Sequence, residues 1–365
     1  MAGADNLVSL IEAEIQRHGP ISFARFMELA LYAPGLGYYE RHREIGRRGD
    51  FFTSVSTGSL FGEMLAYQFA EWLGQVEADS PVQIVEAGAH EGVLARDILE
   101  WSRQRRPDLF VRLEYWLVEP SPARRAWQEE TLRDFASNIK WTRDIGAVRG
   151  DPAFRIIFSN ELLDAMPVHR FAWNAATRRW EECRVDARNG AFVWAPAEPP
   201  PKLMAGLPQI APEMAAVLPD GFIVEHSPAA LAWWERAALT LGRGKLLTID
   251  YGFTPGDLLR PERPNGTLRT YSKHHSSGHL LEHPGECDIT AHVNFPALEA
   301  AGRAAGLATE GLLPQEIFLT RIVALTAADP RGFEEWTPER RRQFQTLAHP
   351  EHLGHAFQIL IQARF

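Results

Sequence analysis

The chain has 365 residues, 38 Lys+Arg against 47 Asp+Glu for a net charge of −9, 45% hydrophobic and 23% charged residues. That is globular composition, which argues against disorder throughout, and the acidic balance argues against non-specific nucleic-acid binding. Two cysteines, Cys183 and Cys287, leave no disulfide framework and fit a reducing compartment, and no apolar run approaches the roughly 18 residues of a membrane span.

The first residues carry Asp5, Glu12 and Glu14, which fit neither a signal nor a transit peptide. The expected location is therefore the cytoplasm. Leu7, Leu10, Ile11 and Ile15 recur at helical spacing and predict an amphipathic helix docked on the body. Ser22 is the expected N-cap of a second helix ending near Tyr32. A loop rich in Gly and Arg follows, Pro34 to Ser56, and then a helix over Leu60 to Leu73, with Phe61, Leu65, Phe69 and Trp72 on one face.

The first strand signal is Val82 to Ala87, followed by Gly88 to Gly92 and a helix from Val93 to about Arg105. A second strand, Leu113 to Val118, ends at Glu119, and Trp127 to Phe135 reads as a helix. A strand near Phe154 to Phe158 leads into Ser159-Asn160-Glu161. Strands alternating with helices of this size indicate βαβ units and a doubly wound parallel sheet. The alternation stops at Met166. Period-two runs at His169 to Trp173, Trp180 to Val185 and Ala191 to Trp194, with Asn189-Gly190 between the last two, indicate a β-rich insertion with a hairpin. A proline-rich return, Ala195 to Pro219, completes it. The α/β pattern resumes with a helix near Ala229 to Leu241, a strand Lys245 to Ile249 and a last strand Phe357 to Ala363. The expected organisation is a helical region with a lid loop over 1–78, a Rossmann-like core over 79–165 and 228–365, and a substrate-region insertion over 166–227.

Three segments have the residue types for chemistry. Val85-Glu86-Ala87-Gly88-Ala89-His90-Glu91-Gly92 places a glycine-bearing turn between a strand and a helix. Glycines admit close backbone approach to a ligand, and the helix start offers N–H donors. The glycines at Gly88 and Gly92 do not fit the dinucleotide fingerprint G-x-G-x-x-G. With Glu86 two places upstream they resemble motif I of class I S-adenosylmethionine methyltransferases, His90 standing at its middle glycine. Glu119 suits the ribose diol; a plain strand–turn–helix suits the same pattern. The second segment is Asn160-Glu161-Leu162-Leu163-Asp164, directly after a buried strand. A polar pair there is costly unless used or hydrogen-bonded. Glu161 and Asp164 could hold a guanidinium, or the pair could simply cap the next helix. The third, Asp50-Phe51-Phe52-Thr53-Ser54 after Arg41, Arg43, Arg47 and Arg48, reads as a lid over the cofactor or as a solvated basic loop. His275, His279, His283 and Cys287 have helical zinc-ligand spacing, but Gly278, Pro284 and Gly285 break any such helix, so no metal is expected.

Further segments extend the pattern: Gly19-Pro20-Ile21-Ser22-Phe23, Tyr32 to Tyr39, Gly49 to Ser54, Asn160 to Val168, Ile249-Asp250-Tyr251-Gly252, Gly266 to Arg269 and Asp288 to Val293. In that order, across about residues 19 to 325, the chain resembles the MidA-like methyltransferases, relatives of the mitochondrial complex I assembly-factor methyltransferase. The resemblance implies a class I methyltransferase fold and S-adenosylmethionine as methyl donor. It also implies a protein substrate, arginine by analogy with the mitochondrial relative. It assigns Glu86, Gly88, His90, Gly92, Glu119, Asp50, Thr53 and Ser54 to the cofactor, and Asn160, Glu161 and Asp164 to catalysis. Trp173, Trp180 and Trp194 of the insertion would help to form the substrate groove, or, each taken singly, are ordinary core residues. Two departures are Gly88-Ala89-His90-Glu91-Gly92, where the family has G-P-G-x-G, and Val55-Ser56, where it has Pro-Glu. They keep open a member that has lost catalysis and acts as a binding or assembly factor.

Overall fold

A computed structural model describes residues 2–41, 43, 53–272, 275–277, 279–329, 332–349 and 353–365. Asp50 lies outside them. The helical lead-in is Ala2–His18 and Phe23–Tyr32, with a two-residue strand β1 (Ile21–Ser22) between. Ser22 caps the second helix by accepting from the Arg25 main-chain N–H. Helix Leu60–Leu73 follows, buried on most of its surface.

The core strands are β2 (Val82–Ala87), β3 (Leu113–Val118), β4 (Ile139–Thr142) and β5 (Phe154–Asn160). They are parallel to one another. Every residue of β2 and β5 is buried, as expected of strands covered on both faces. Between β3 and β4 the helix starts earlier than its apolar pattern suggests, at Pro122–Thr131. Ser121 caps it and Pro122 opens it, and a 3₁₀ turn follows at Arg133–Phe135.

The insertion contributes β6 (His169–Asn174), β7 (Arg179–Arg188), β8 (Ala191–Ala197) and β9 (Ile223–His226). They form a separate sheet with β1, in the order β1-β7-β6-β9 and with β8 on β7. The lead-in is thus tied to the insertion by Ile21↔Val185 pairing. Helix Pro228–Thr240 leads back to β10 (Gly244–Phe253), which lies parallel to β5. The chain continues through β11 (Arg269–Ser272), β12 (His275–Ser277), β13 (Asp288–Thr290), β14 (Val293–Asn294), β15 (Ala308–Pro314) and β16 (Phe357–Arg364).

The main sheet runs β15-β16-β10-β5-β2-β3-β4, with β16 antiparallel to both neighbours. It is the doubly wound sheet expected from the alternation. Strand order reverses between β2 and β5, and the crevice outside the carboxyl ends of such strands is where an open α/β sheet binds ligands. One apolar cluster joins helices Leu60–Leu73 and Val93–Arg105 to one face, and a second buries Trp233 and Trp234 against the other.

Candidate active site

At the end of β2 the chain enters the left-handed region three times in five residues, at Gly88 (φ 78°), His90 (φ 47°) and Gly92 (φ 83°). This turns the backbone into helix Val93–Arg105. A Cβ on Gly88 would meet Leu162 Cδ1 at 2.9 Å, so this glycine lets the loops after β2 and β5 close on each other. The His90 carbonyl accepts from Gln128 Nε2 (3.0 Å), and its ring lies 5.8 Å from Trp127. Glu86 is buried and accepts from the Tyr115 hydroxyl (2.6 Å); burial pushes its carboxyl up to about 7.

Glu119 is already engaged. Its Oε1 accepts from the Ser121 N–H (2.9 Å) and Arg124 Nε (2.9 Å), and its Oε2 accepts from Gln128 Nε2 (3.1 Å). A carboxylate has about four acceptor positions, so Oε2 retains room for another donor.

After β5, Glu161 sits at φ 52°, strain that costs on the order of 1–3 kcal/mol and persists only where the surroundings impose it. Its Oε1 accepts from the Ser54 main-chain N–H (3.2 Å) and Asn160 Nδ2 (3.0 Å). Desolvation, then the charge of Asp164, pushes the Glu161 carboxyl up to about 8. Asp164 accepts from the Tyr251 hydroxyl at Oδ2 (2.6 Å), and burial pushes it up to about 6. Asn160 Oδ1 and Asp164 Oδ1 are buried acceptors with no hydrogen-bond partner among the described residues.

Asp250 locks this loop. Its Oδ2 accepts from the N–H groups of Leu163 (2.9 Å) and Asp164 (3.3 Å), and its Oδ1 from that of Tyr251 (2.9 Å). Burial and the neighbouring acids Asp164 and Glu161 raise it well above the ordinary range.

Both ends meet in a single cavity of about 1600 Å³, lined by Gly88, His90, Glu119, Asn160, Glu161 and Asp164 among others. That exceeds the usual few hundred to roughly 1,000 Å³ of a small-molecule pocket and leaves room for a cofactor and an acceptor side chain. Thr53 lines the cavity, whereas Ser54 does not. The Ser54 hydroxyl is fully buried and donates to Gln315 Oε1 (3.3 Å), so the expected cofactor contact is instead a support for Glu161.

The tryptophan groove also fails. Trp173 and Trp180 are cross-strand partners with rings 5.2 Å apart, packed beneath Leu203, Leu207 and Leu218 from the proline-rich return. Trp194 packs on Phe23 and under Arg170. Trp173 and Trp180 fill the insertion's own core, Trp194 packs against the lead-in helix, and none of the three lines the cavity. Sequence reasoning missed Tyr251, Asp288, Tyr32 and Tyr39, which line it. Asp250-Tyr251 and Asp288 stood only within stretches that resembled the family, with no local pattern to mark their roles.

Residues 64–313 match the family model described as S-adenosyl-L-methionine-dependent methyltransferase. The chain belongs to the MidA-like family of these methyltransferases. Its fold is that of a class I methyltransferase and its methyl donor is S-adenosylmethionine. The crystal structure of a COG1565 superfamily member from Burkholderia thailandensis, bound to S-adenosyl-homocysteine, superposes with a TM-score of 0.82 at 32% identity, covering 100% of this chain and 93% of that one. The rat protein named protein arginine methyltransferase NDUFAF7, mitochondrial, is 30% identical over 94% of this chain and 81% of its own length. Its human counterpart is 28% identical over 94% and 80%. These mitochondrial relatives overturn the cytoplasmic location expected from the sequence. Among the described residues no helix is long and apolar enough to cross a membrane.

The site fits the cofactor of this family. The glycine-bearing turn, Glu119 with its open acceptor position, and the two unpartnered acceptors all line the one cavity.

Proposed function

We propose that this methyltransferase acts on a guanidinium nitrogen of arginine in a protein substrate. The observation that carries the reading is the pair of buried, unpartnered acceptors, Asn160 Oδ1 and Asp164 Oδ1, beside Glu161. A guanidinium brings five N–H donors in a planar fork, which such acceptors can receive together. The rat and human relatives are named for arginine methylation.

In this reading Glu86, Gly88, His90 and Glu119 bind the cofactor, with Thr53 closing over it, while Gly92, which is not on the cavity wall, turns the chain into the helix that follows. When bound, S-adenosylmethionine supplies an electrophilic methyl group on sulfur. Asn160 and Asp164 orient the acceptor nitrogen toward that methyl. Glu161 takes the proton which that nitrogen must lose. A carboxyl pushed up to about 8 is a stronger base than an ordinary one and is matched to neutral pH. Tyr251 holds Asp164 Oδ2 (2.6 Å), leaving Oδ1 for the substrate.

The test is transfer of labelled methyl from S-adenosylmethionine to peptides that differ only in carrying arginine, lysine or glutamine at the centre, followed by amino-acid analysis. Label in methylarginine, reduced at least tenfold by Asn160→Ala and by Asp164→Asn, is expected. Label on lysine or glutamine, or on arginine but indifferent to both variants, contradicts the reading.

A further inference from the structure

The same cavity is acidic at one end and basic at the other. Beyond Tyr251, whose hydroxyl holds Asp164, the His292 ring lies 5.6 Å away and the Phe253 ring a further 5.5 Å on. The Arg263 guanidinium sits over that phenylalanine at 5.5 Å. Arg260, Arg263 and Arg269 all line the cavity here. Arg260 is paired with Asp257 (2.6 Å), and Arg269 donates to its neighbour's carbonyl at Leu268 (2.8 Å). Arg263 Nη1 is buried with no hydrogen-bond partner among the described residues. Burial, then the charges of Arg263 and Arg269, pushes His292 down to about 4, so His292 is neutral and adds nothing to this field. A chain of net charge −9 thus concentrates cationic side chains at the mouth of a pocket whose floor is carboxylates.

We propose that this basic rim selects the substrate: it binds acidic side chains flanking the arginine that enters the pocket. The inference rests on the arginine reading above and adds the sequence class of the protein. Arginine inward and carboxylates outward would match the cavity's charge at both ends. Rim pairs of this kind are solvent-screened, so the expected preference is modest, roughly three- to tenfold, and falls with added salt.

The experiment uses the full chain and three dodecapeptides with one central arginine and flanks of glutamate, glutamine or lysine. A fourth, fluorescent peptide has the glutamate flanks and norleucine in place of arginine. The glutamate peptide is expected to exceed the glutamine peptide in kcat/KM by three- to tenfold at low salt, through KM. The ratio is expected to fall toward one in Arg263→Gln/Arg269→Gln. The norleucine peptide is expected to bind, and to lose that binding in the same variant. A glutamate-to-glutamine ratio of one in the unmodified enzyme, or a preference that the double variant retains, overturns the proposal. So does displacement of the fluorescent peptide by an oligoribonucleotide at lower concentration than by unlabelled peptide, which would make the rim a phosphate-binding surface. If no arginine peptide is methylated yet the norleucine peptide binds in a rim-dependent way, the arginine reading fails while the acidic-partner rim stands.

Discussion

The main-chain N–H of Ser54 donates to Glu161 Oε1 at 3.2 Å, across 107 positions of sequence. The loop before the sheet thereby fixes the carboxylate that follows its central strand. This bond favours the charged form of Glu161 and opposes the burial that raises it. Ser54 has φ −56°, which proline can adopt. Ser54→Pro therefore removes this donor without forcing the backbone, and is expected to lower kcat about tenfold, the worth of one hydrogen bond. It should also move the pH–rate profile to higher pH. Ser54→Ala, which keeps the N–H, should leave that profile in place. A profile that moves equally in both variants would show that the hydroxyl's bond to Gln315 matters, not the N–H.

The raised carboxyls predict a dependence of stability on pH. Glu161 is raised from 4.5 to about 8 and Asp164 from 3.8 to about 6. A group raised on folding adds stability that is complete below its unfolded value and is lost as pH rises through its folded value. The ligand-free protein is therefore expected to melt at lower temperature at pH 8.5 than at pH 5.5, and Glu161→Gln should lessen that fall. Melting curves at the two pH values decide it; the same fall in both proteins contradicts the assignment.

Glu119 and Arg124 are a buried pair, with side chains only 2% and 10% exposed. Glu119→Ala would leave Arg124 buried without its partner, a loss of roughly 3–5 kcal/mol, so reduced cofactor binding in that variant would be ambiguous. Glu119→Gln keeps the shape and is the informative change. We expect it to weaken S-adenosylhomocysteine binding about tenfold in calorimetry. Unchanged affinity in a folded variant would remove Glu119 from the ribose site.

His90 stands where the family has glycine, and its backbone is left-handed, a conformation that suits glycine. Its ring is turned to Trp127. His90→Gly is accordingly expected to change S-adenosylhomocysteine affinity by less than about threefold. A tenfold gain would mean that the ring occupies cofactor space.

The sequence carried the core because its strands and helices have strong local patterns. Val82–Ala87 and Leu60–Leu73 are bounded as their apolar spacing predicts. β4 was missed because it is only four residues, Ile139–Thr142, with only Ile139 buried. Helices Phe295–Ala304, Gln315–Ala328 and Pro338–Ala348 were also missed, although each is preceded by a proline or has one in its first turn. Within the site, Asn160, Glu161 and Asp164 were legible as polar residues directly after a buried strand. Tyr251, Asp250 and Asp288 were not, because they reach the site from β10 and β13 through contacts that no local spacing records. Ser54 resembles a cofactor ligand in the sequence for the same reason: its partners, Glu161 and Gln315, lie 107 and 261 positions away.

The most direct test of the account is a single-turnover measurement of methyl transfer to an arginine peptide by Glu161→Gln, with S-adenosylhomocysteine affinity measured on the same preparation. The account predicts a loss of at least about a hundredfold in the rate of transfer, the lower end for a general base, with cofactor affinity within threefold of the unmodified enzyme. A rate within threefold would show that Glu161 does not take the acceptor's proton. A matching loss of cofactor affinity would place Glu161 in the cofactor site instead.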